Sequence, residues 1–272
     1  MTLVIGIKCK DGIVMGADGA ATLGAMGQRT ILQPMHKLEI LSNKVIFSTS
    51  GPVGLGQRFK GEIQKAWDSK RDDGKKTFSE IKSFEAMTIL RAAMWKHAEM
   101  ELRVATVAQG AIGPTARESA ISQTIIAMPI SKKPCLFHFD QQCSPEEVTE
   151  DLPFVSIGSG QSIADPFLAF LRRIFWEDKV PSVADGILVA LWTLRHTIAI
   201  NPGGVAEPIQ IVILENKDGN WQARELLKAE LQEHSQAIDA AENSLRGFRS
   251  TIRNQGEEIE KEPSKIPEPP SN

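Results

Sequence analysis

The chain has 272 residues, of which 42% are hydrophobic and 24% charged, a composition typical of one large globular domain or of one domain with an appendage. A net charge of −3 gives no basic surface for a phosphate backbone, so we expect no nucleic-acid partner. Three cysteines, no charged leader and no apolar run of the roughly 18 residues that span a bilayer favour a cytoplasmic protein without a membrane partner.

The first elements of the chain are two short apolar runs, residues 3–7 and 13–17, with Asp11-Gly12 between them. An Asp-Gly pair between apolar runs predicts a β-hairpin. Both runs are apolar at successive positions, which is typical of strands that are buried on both faces. Asp18 ends the second strand, and we expect an irregular loop after it.

A second hairpin follows, and the chain then continues with two helices, more strands, two helices and a last hairpin that ends near residue 224. Ser182 and Asp185 have the spacing of a capping box at the start of the fourth helix. This order predicts an α+β fold in which two sheets pack on each other and helix pairs cover the outside, a four-layer αββα sandwich. We assign it to residues 1–224.

Residues 225–253 have apolar positions at alternating steps of four and three, which predicts one long amphipathic helix with a heptad seam. The seam consists of Leu227, Leu231, His234, Ile238, Ala241, Leu245, Phe248 and Ile252. It has two interpretations, because such a stripe packs either on its own domain or on a neighbouring subunit. Residues 254–272 are acidic and then proline-rich, which predicts a disordered tail.

Two motifs in the sequence give weak functional signals. Cys135, His138 and Cys143 resemble metal ligands in their spacing, but no fourth ligand is evident, so a structural role is favoured over a zinc site. Gly158-Ser159-Gly160 opens a helix but lacks the longer glycine pattern of a phosphate-binding loop. We therefore expect no metal and no cofactor.

Thr2 has a stronger chemical argument. If Met1 is removed, one residue carries both a hydroxyl nucleophile and an α-amine whose ordinary pKa of about 7.7–8.0 suits it to accept the hydroxyl proton. A nearby lysine ammonium lowers the pKa of that amine further, and a carboxylate has to hold the lysine in place. The chemistry therefore predicts a constellation of threonine, lysine and aspartate.

The order of these residues resembles the proteasome-type N-terminal nucleophile hydrolases. The resemblance covers residues 2–224, and it depends on Thr2 before a strand, Ala17-Asp18-Gly19, Lys37-Leu38 and Gly158-Ser159-Gly160. Within that family the sequence is more similar to the HslV peptidase and the betaproteobacterial proteasome homologue than to Anbu. The long C-terminal helix is a departure from the compact HslV subunit.

The resemblance implies specific roles for several residues. Thr2 is the nucleophile and base, Asp18 and Lys37 form the charged pair beside it, and Ser159 orients the amine. The Ser48 backbone N–H stabilises the oxyanion. The positions that line the primary specificity pocket in the family are Ala21, Ile46 and Ser50.

One family feature has no counterpart. The aspartate that proteasomes place near the active amine, after the fourth helix, aligns with Ala199, and Asn201 lies nearby. We expect a cytoplasmic threonine endopeptidase whose subunits form stacked rings and which cleaves peptides or unfolded proteins; an ATPase regulator is left open. The alternatives are a non-catalytic ring or scaffold and a small-molecule amidase of the same nucleophile class.

Overall fold

The computed structural model describes residues 2–23, 31–72, 77–112, 120–177, 179–200 and 204–261. Its strands are β1 (Val4–Lys8), β2 (Gly12–Ala17), β3 (Ala20–Leu23), β4 (Ile31–Pro34), β5 (Glu39–Leu41), β6 (Val45–Ser50), β7 (Gln123–Ile130), β8 (Lys133–Phe139), β9 (Pro145–Glu147), β10 (Phe154–Ile157), β11 (Gln210–Lys217) and β12 (Asn220–Glu225). Its helices are α1 (Val53–Asp72), α2 (Ser83–Ile112), α3 (Gln161–Leu171), α4 (Val183–Ile200) and α5 (Lys228–Lys261), and a π-helical turn (Arg172–Trp176) follows α3 directly.

The strands form two five-stranded sheets and one separate two-stranded hairpin. The first sheet has the order β10-β1-β2-β11-β12, and the second has the order β5-β6-β7-β8-β9. All neighbouring strands are antiparallel. The predicted α+β class is therefore confirmed. The prediction of an irregular loop after Asp18 is wrong, because the segment begins with β3, which pairs with β4.

The two sheets share a hydrophobic cluster. Val4, Ile13 and Met15 of the first sheet belong to the same buried cluster as Ile125 and Leu136 of the second. The contact is close: a Cβ atom added at Gly6 would lie 3.1 Å from a Leu136 methyl carbon. Successive side chains of a strand point to opposite faces, so the continuous apolar runs of β1 and β2 fit strands that are covered on both sides.

Two further clusters join helices to the other face of each sheet. Leu3, Ile5 and Ile7 pack with Leu168 of α3 and Leu194 of α4. On the second sheet, the buried side chains of Phe47, Ile126 and Phe137 cluster with those of α1 and α2, namely Leu55, Phe59, Ile63, Leu90 and Met94. Each sheet therefore has an apolar contact with the other sheet and another with a helix pair.

The helix α4 is a core helix. By length and composition alone it is apolar enough to cross a membrane, but 50% of it is buried inside the fold. The predicted capping box lies at its start: the Ser182 N–H donates to Asp185 Oδ2 at 3.1 Å, and the Asp185 N–H donates to Ser182 Oγ at 3.2 Å. These reciprocal bonds satisfy two N–H groups that a helix start leaves unpaired.

The C-terminal helix α5 differs in its bounds from the prediction. It spans Lys228–Lys261 rather than residues 225–253, because no proline interrupts the chain before Pro263. The first half of the seam packs on its own domain, with Ile238 fully buried in the cluster that includes α4. Arg195 of α4 reinforces this contact through an ion pair with Asp239 at 2.6 Å. The predicted tail beyond residue 261 lies outside the described residues.

Candidate active site

Thr2 lies beside the Gly158-Ser159-Gly160 turn because of the register of β1. This strand runs antiparallel to β10 with Val4 opposite Ile157, so the continuation of the register places Thr2 opposite Ser159. The Thr2 backbone N–H donates to Ser159 Oγ at 3.2 Å, and the Gly160 N–H donates to the Thr2 carbonyl oxygen at 3.2 Å. Both backbone polar groups of Thr2 are therefore held by one turn.

Gly158 is required by this contact. Its φ of +97° lies in the region that favours glycine, and a Cβ atom there would lie 2.2 Å from the Thr2 carbonyl oxygen. That separation is far shorter than a van der Waals contact. A side chain at position 158 would therefore push the turn away from Thr2.

Asp18 and Lys37 form a buried ion pair next to the start of β1. The Lys37 ammonium lies 2.6 Å from Asp18 Oδ1, and both side chains are almost completely shielded from solvent. The same carboxylate accepts the backbone N–H of Leu3 at 2.8 Å, of Ala20 at 3.2 Å and of Ala206 at 3.3 Å. Asp18 therefore fixes both the lysine and the residue that directly follows Thr2.

Burial and Asp18 act on the pKa of Lys37 in opposite directions. The loss of water lowers the pKa of its ammonium below the ordinary value of 10.5, and the neighbouring carboxylate of Asp18 partly opposes this shift. A buried ammonium next to the chain start disfavours a second positive charge in its surroundings. This is the electrostatic condition under which a free α-amine on Thr2 acts as a base near neutral pH.

Gln210 is the residue that sequence reasoning missed. Its side-chain oxygen accepts the backbone N–H of Lys37 at 3.1 Å and of Leu38 at 2.9 Å, and its Nε2 donates to the Leu38 carbonyl at 3.0 Å. Gln210 pairs with Ala17 in the first sheet, next to Asp18, whereas Leu38 directly precedes β5 of the second sheet. A single buried amide thus links the strand end that carries Asp18 to the segment that carries Lys37.

The remaining predicted site residues have different surroundings. Ser48 is buried, and its hydroxyl donates to the Lys37 carbonyl at 2.7 Å. The Ser50 hydroxyl oxygen lies 3.1 Å from the position that a Cβ atom of Gly158 would occupy. Ile46 is fully buried in the cluster between the sheets, and the side chain of Ala21 lies outside the described part of the chain. Ser48 and Ser50 are therefore brought to the Lys37 and Gly158 segments, and the roles assigned to all four residues stay predictions.

The position of the absent second aspartate lies at the end of α4. Ala199 is exposed there, and Asn201 lies outside the described residues. Two residues before Ala199, a Thr197 methyl carbon lies 3.3 Å from the position of a Cβ atom at Gly160. The carboxylate of Asp165 on α3 accepts bonds from Ser156 Oγ and, at 3.0 Å, from Gln161 Nε2.

The cysteines have the character of small buried hydrophobic residues. Burial raises the pKa of the Cys135 thiol to about 12 and that of Cys143 to about 11, so both thiols stay protonated near neutral pH. His138 Nδ1 lies 2.8 Å from Glu146. Among the residues that the structure describes, no group of three or more His, Cys, Asp or Glu side chains is arranged to hold a metal ion.

The fold combines two antiparallel sheets, their helix pairs and a chain start held against a Gly-Ser-Gly turn, and it is similar to that of a protein described as an ancestral beta-subunit. Solved structures of Anbu are among those that are similar to the chain. Anbu from Hyphomicrobium sp. strain MC1 matches with a TM-score of 0.63 and 17% identity, over 99% of this chain and 100% of that chain. Anbu, described as an ancestral beta-subunit, from Yersinia bercovieri matches with a TM-score of 0.60 and 15% identity, over 99% and 100% of the two chains.

A third structure, the helical assembly of the Anbu complex from Pseudomonas aeruginosa, has a TM-score of 0.63 and 15% identity, and the match covers 99% of this chain and 98% of that chain. No protein-family profile matches the sequence, and the comparison with curated proteins found no match. The similarity therefore shows the fold. It also corrects the expectation that the sequence is more similar to HslV than to Anbu. Anbu is favoured over HslV, because these matches extend over the long C-terminal helix as well.

Proposed function

We propose that the protein is a self-assembling threonine peptidase of the N-terminal nucleophile class. The observation that carries the proposal is the convergence of three groups on the chain start: Ser159 on the Thr2 nitrogen, Asp18 on the next N–H, and Lys37 on Asp18. On this account the three hydrophobic clusters belong to the four-layer αββα sandwich of this class. The proposed compartment is the cytoplasm.

The proposed reaction begins after removal of Met1. The α-amine of Thr2 takes the hydroxyl proton while Oγ bonds to the carbonyl carbon of a peptide, and the carbonyl oxygen becomes an oxyanion near the Ser48 backbone N–H. The amine then gives the proton to the leaving nitrogen, the C–N bond breaks, and an ester remains on Thr2. A water molecule deprotonated by the same amine attacks the ester, and Oγ leaves with the proton. No cofactor takes part.

Each residue of the charged pair has a distinct task in this scheme. Lys37 keeps the amine of Thr2 unprotonated, since a second ammonium in the same buried region is disfavoured. Asp18 keeps the lysine charged and holds the Leu3 N–H, so that Thr2 keeps its orientation. The expected substrates are peptides or unfolded chains, because a chamber within an assembly admits extended chains more easily than folded domains.

A test compares three forms of the protein. Thr2→Ala should abolish hydrolysis of a panel of fluorogenic peptides, whereas Thr2→Ser, which keeps both a hydroxyl and an α-amine, should keep measurable activity. If Thr2→Ala retains the wild-type rate, Thr2 is not the nucleophile. If the wild type hydrolyses short acyl amides but no peptide, the small-molecule amidase takes the place of the peptidase.

A second candidate function is a non-catalytic ring or scaffold, and one observation favours it. The position of the second aspartate is held by Ala199, which has no group to orient an amine. A wild-type protein that assembles and hydrolyses none of the substrates, with Met1 removed, would establish this second function.

A further inference from the structure

An apolar groove of about 540 Å³ lies on the surface between α3, the π-helical turn, α4 and α5. Its apolar character comes from aromatic side chains that three of these elements contribute. Phe167 stacks on His196 of α4 with ring centroids 4.1 Å apart, and Phe175 of the π-helical turn lies 5.9 Å from the Trp192 ring. We call this feature the aromatic groove; its main apolar side chains are Phe167, Phe170, Ile174, Phe175, Trp192 and Leu245.

The aromatic groove leaves large side chains in contact with solvent. Phe170, Ile174 and Phe175 are exposed over 44%, 51% and 43% of their surface. The Trp192 indole N–H in the groove already has a partner, because it donates to Glu242 at 3.0 Å. An apolar occupant would therefore bury these side chains without leaving that donor unpaired.

The helix α5 also leaves apolar side chains exposed to solvent. Ile238 is fully buried on its own domain, but Leu245, one heptad further along the same stripe, is 61% exposed, and Phe248 is 63% exposed. The seam predicted from the sequence therefore divides into two halves. Leu231, Ile238 and Ala241 of the first half pack within the chain, whereas Leu245 and Phe248 of the second half have no such cover.

We propose that the aromatic groove of one copy receives the second half of α5, with Leu245 and Phe248, from a second copy of the chain. Leu245 lines the groove and also belongs to the exposed half of the seam, so groove and insert form one continuous surface. A surface that contains both parts of a contact is self-complementary, as a two-fold interface requires. The inference deepens the proposed self-assembly and rests on it, and it does not depend on the peptidase chemistry.

A second copy fits the observations better than a lipid surface. Membrane-binding helices have a polar face rich in lysine and arginine. Here the α5 side of the groove has Glu242, which pairs with Arg246 at 3.2 Å, and three residues earlier Asp239 pairs with Arg195 of α4. Aromatic anchors that insert between packed helices are typical of the centre of protein interfaces.

The assembly state tests this surface directly. Sedimentation velocity of the full chain with Leu245→Glu and Phe248→Glu together should show smaller particles, with the protein concentration at half-assembly raised at least about tenfold. Leu227→Glu is the matched control, since Leu227 is 70% exposed at the other end of the same seam, directly before α5 begins, and the change should leave assembly unchanged. Circular dichroism checks that the variants are folded.

Cross-linking supplies a second measurement that needs no loss of assembly. Ile174→Cys protein mixed with size-tagged Phe248→Cys protein should give a disulfide-linked species that contains one chain of each size. The native thiols Cys9, Cys135 and Cys143 are all buried, so they should not compete. A cross-linked pair supports the proposal.

The results distinguish a failure of the proposed surface from a failure of self-assembly. Unchanged particle size in the double glutamate variant, or no mixed cross-link in a wild-type-sized assembly, overturns the surface and leaves self-assembly standing. A wild type that stays monomeric at all concentrations overturns both. Peptidase activity is measured separately on the same samples, so its loss or presence decides neither outcome.

Discussion

The carboxylate of Asp18 and the ammonium of Lys37 lie 2.6 Å apart in a site that excludes water, and the same Asp18 oxygen accepts the N–H of Leu3. Among the described residues, Lys37 is the only charged side chain that pairs with Asp18. One carboxylate oxygen thus contacts both this ammonium and the backbone N–H of the residue next to Thr2. This relationship explains why a change at Lys37 should affect chemistry at Thr2 more than it affects the fold.

Lys37→Met should lower peptide hydrolysis by roughly 10²–10³-fold while the assembly keeps its size. The variant removes the charge that tunes the amine, but Asp18 keeps its three backbone N–H donors. We expect a stability loss of about 3 kcal/mol, since a buried carboxylate loses its ion-pair partner. Chemical denaturation and kinetics on the same preparation measure both effects, and a variant with wild-type activity would reduce Lys37 to a structural role.

Gln210→Leu should lower kcat roughly 10-fold or more with little change in KM, because three bonds that position Lys37 are lost while the substrate site is untouched. The expected stability loss is about 1–3 kcal/mol from the unpaired backbone groups. Gln222→Leu, on the exposed face of β12, is the control and should change neither quantity. A fall in stability without a fall in kcat would show that Gln210 supports the fold alone.

Gly158→Ala should abolish activity. Its stability loss should exceed the cost of placing a side chain at a left-handed backbone position alone. The chain provides a control for the conformational part, since Gly219 has a φ of +83° and open space where its Cβ atom would lie. Gly219→Ala should therefore cost about 1–2 kcal/mol and keep activity. Equal stability losses in the two variants would mean that the turn yields to the new methyl group without strain against Thr2.

The pH dependence follows from the lowered pKa of Lys37. In the window between its folded pKa and 10.5, the unfolded chain binds more protons at this residue than the folded chain, so the contribution of Lys37 to stability rises with pH. Activity should change in the opposite sense, because loss of the ammonium charge above the folded pKa removes the tuning of the amine. The rate should therefore fall on the alkaline side below pH 10.5.

Lys37→Arg isolates this effect, since a guanidinium stays charged throughout that window. If the arginine variant keeps any activity, its alkaline limb should move to higher pH. An alkaline limb that is identical in both proteins would assign it to another group.

Local patterns in the sequence predicted a good part of the fold. The continuous apolar runs of β1 and β2 indicated strands covered on both faces, and the spacing of Ser182 and Asp185 indicated the start of α4. These signals work because burial and capping depend on neighbours in the sequence. The pairing of β3 with β4 was missed, since four-residue strands give too short a pattern.

The site was only partly accessible from the sequence. The Asp18–Lys37 pair followed from chemistry and from resemblance, but Gln210 lies 172 residues from Leu38 and carries no motif. Its role depends on the register of β11 with β2, which places it opposite Ala17. Likewise, the seam of α5 did not reveal that its contacts within the chain include the fully buried Ile238 whereas Leu245 and Phe248 remain exposed, because that depends on how α5 packs against α4.

The central claim is that Thr2 acts as the nucleophile through a free amine. Intact-mass measurement of the protein purified from the cell, before and after incubation with a threonine-directed electrophile, tests it most directly. We expect a chain that lacks Met1 and that gains one adduct, mapped to Thr2 and absent from Thr2→Ala. A chain that retains Met1, or an adduct elsewhere with Thr2 unmodified, would contradict the account.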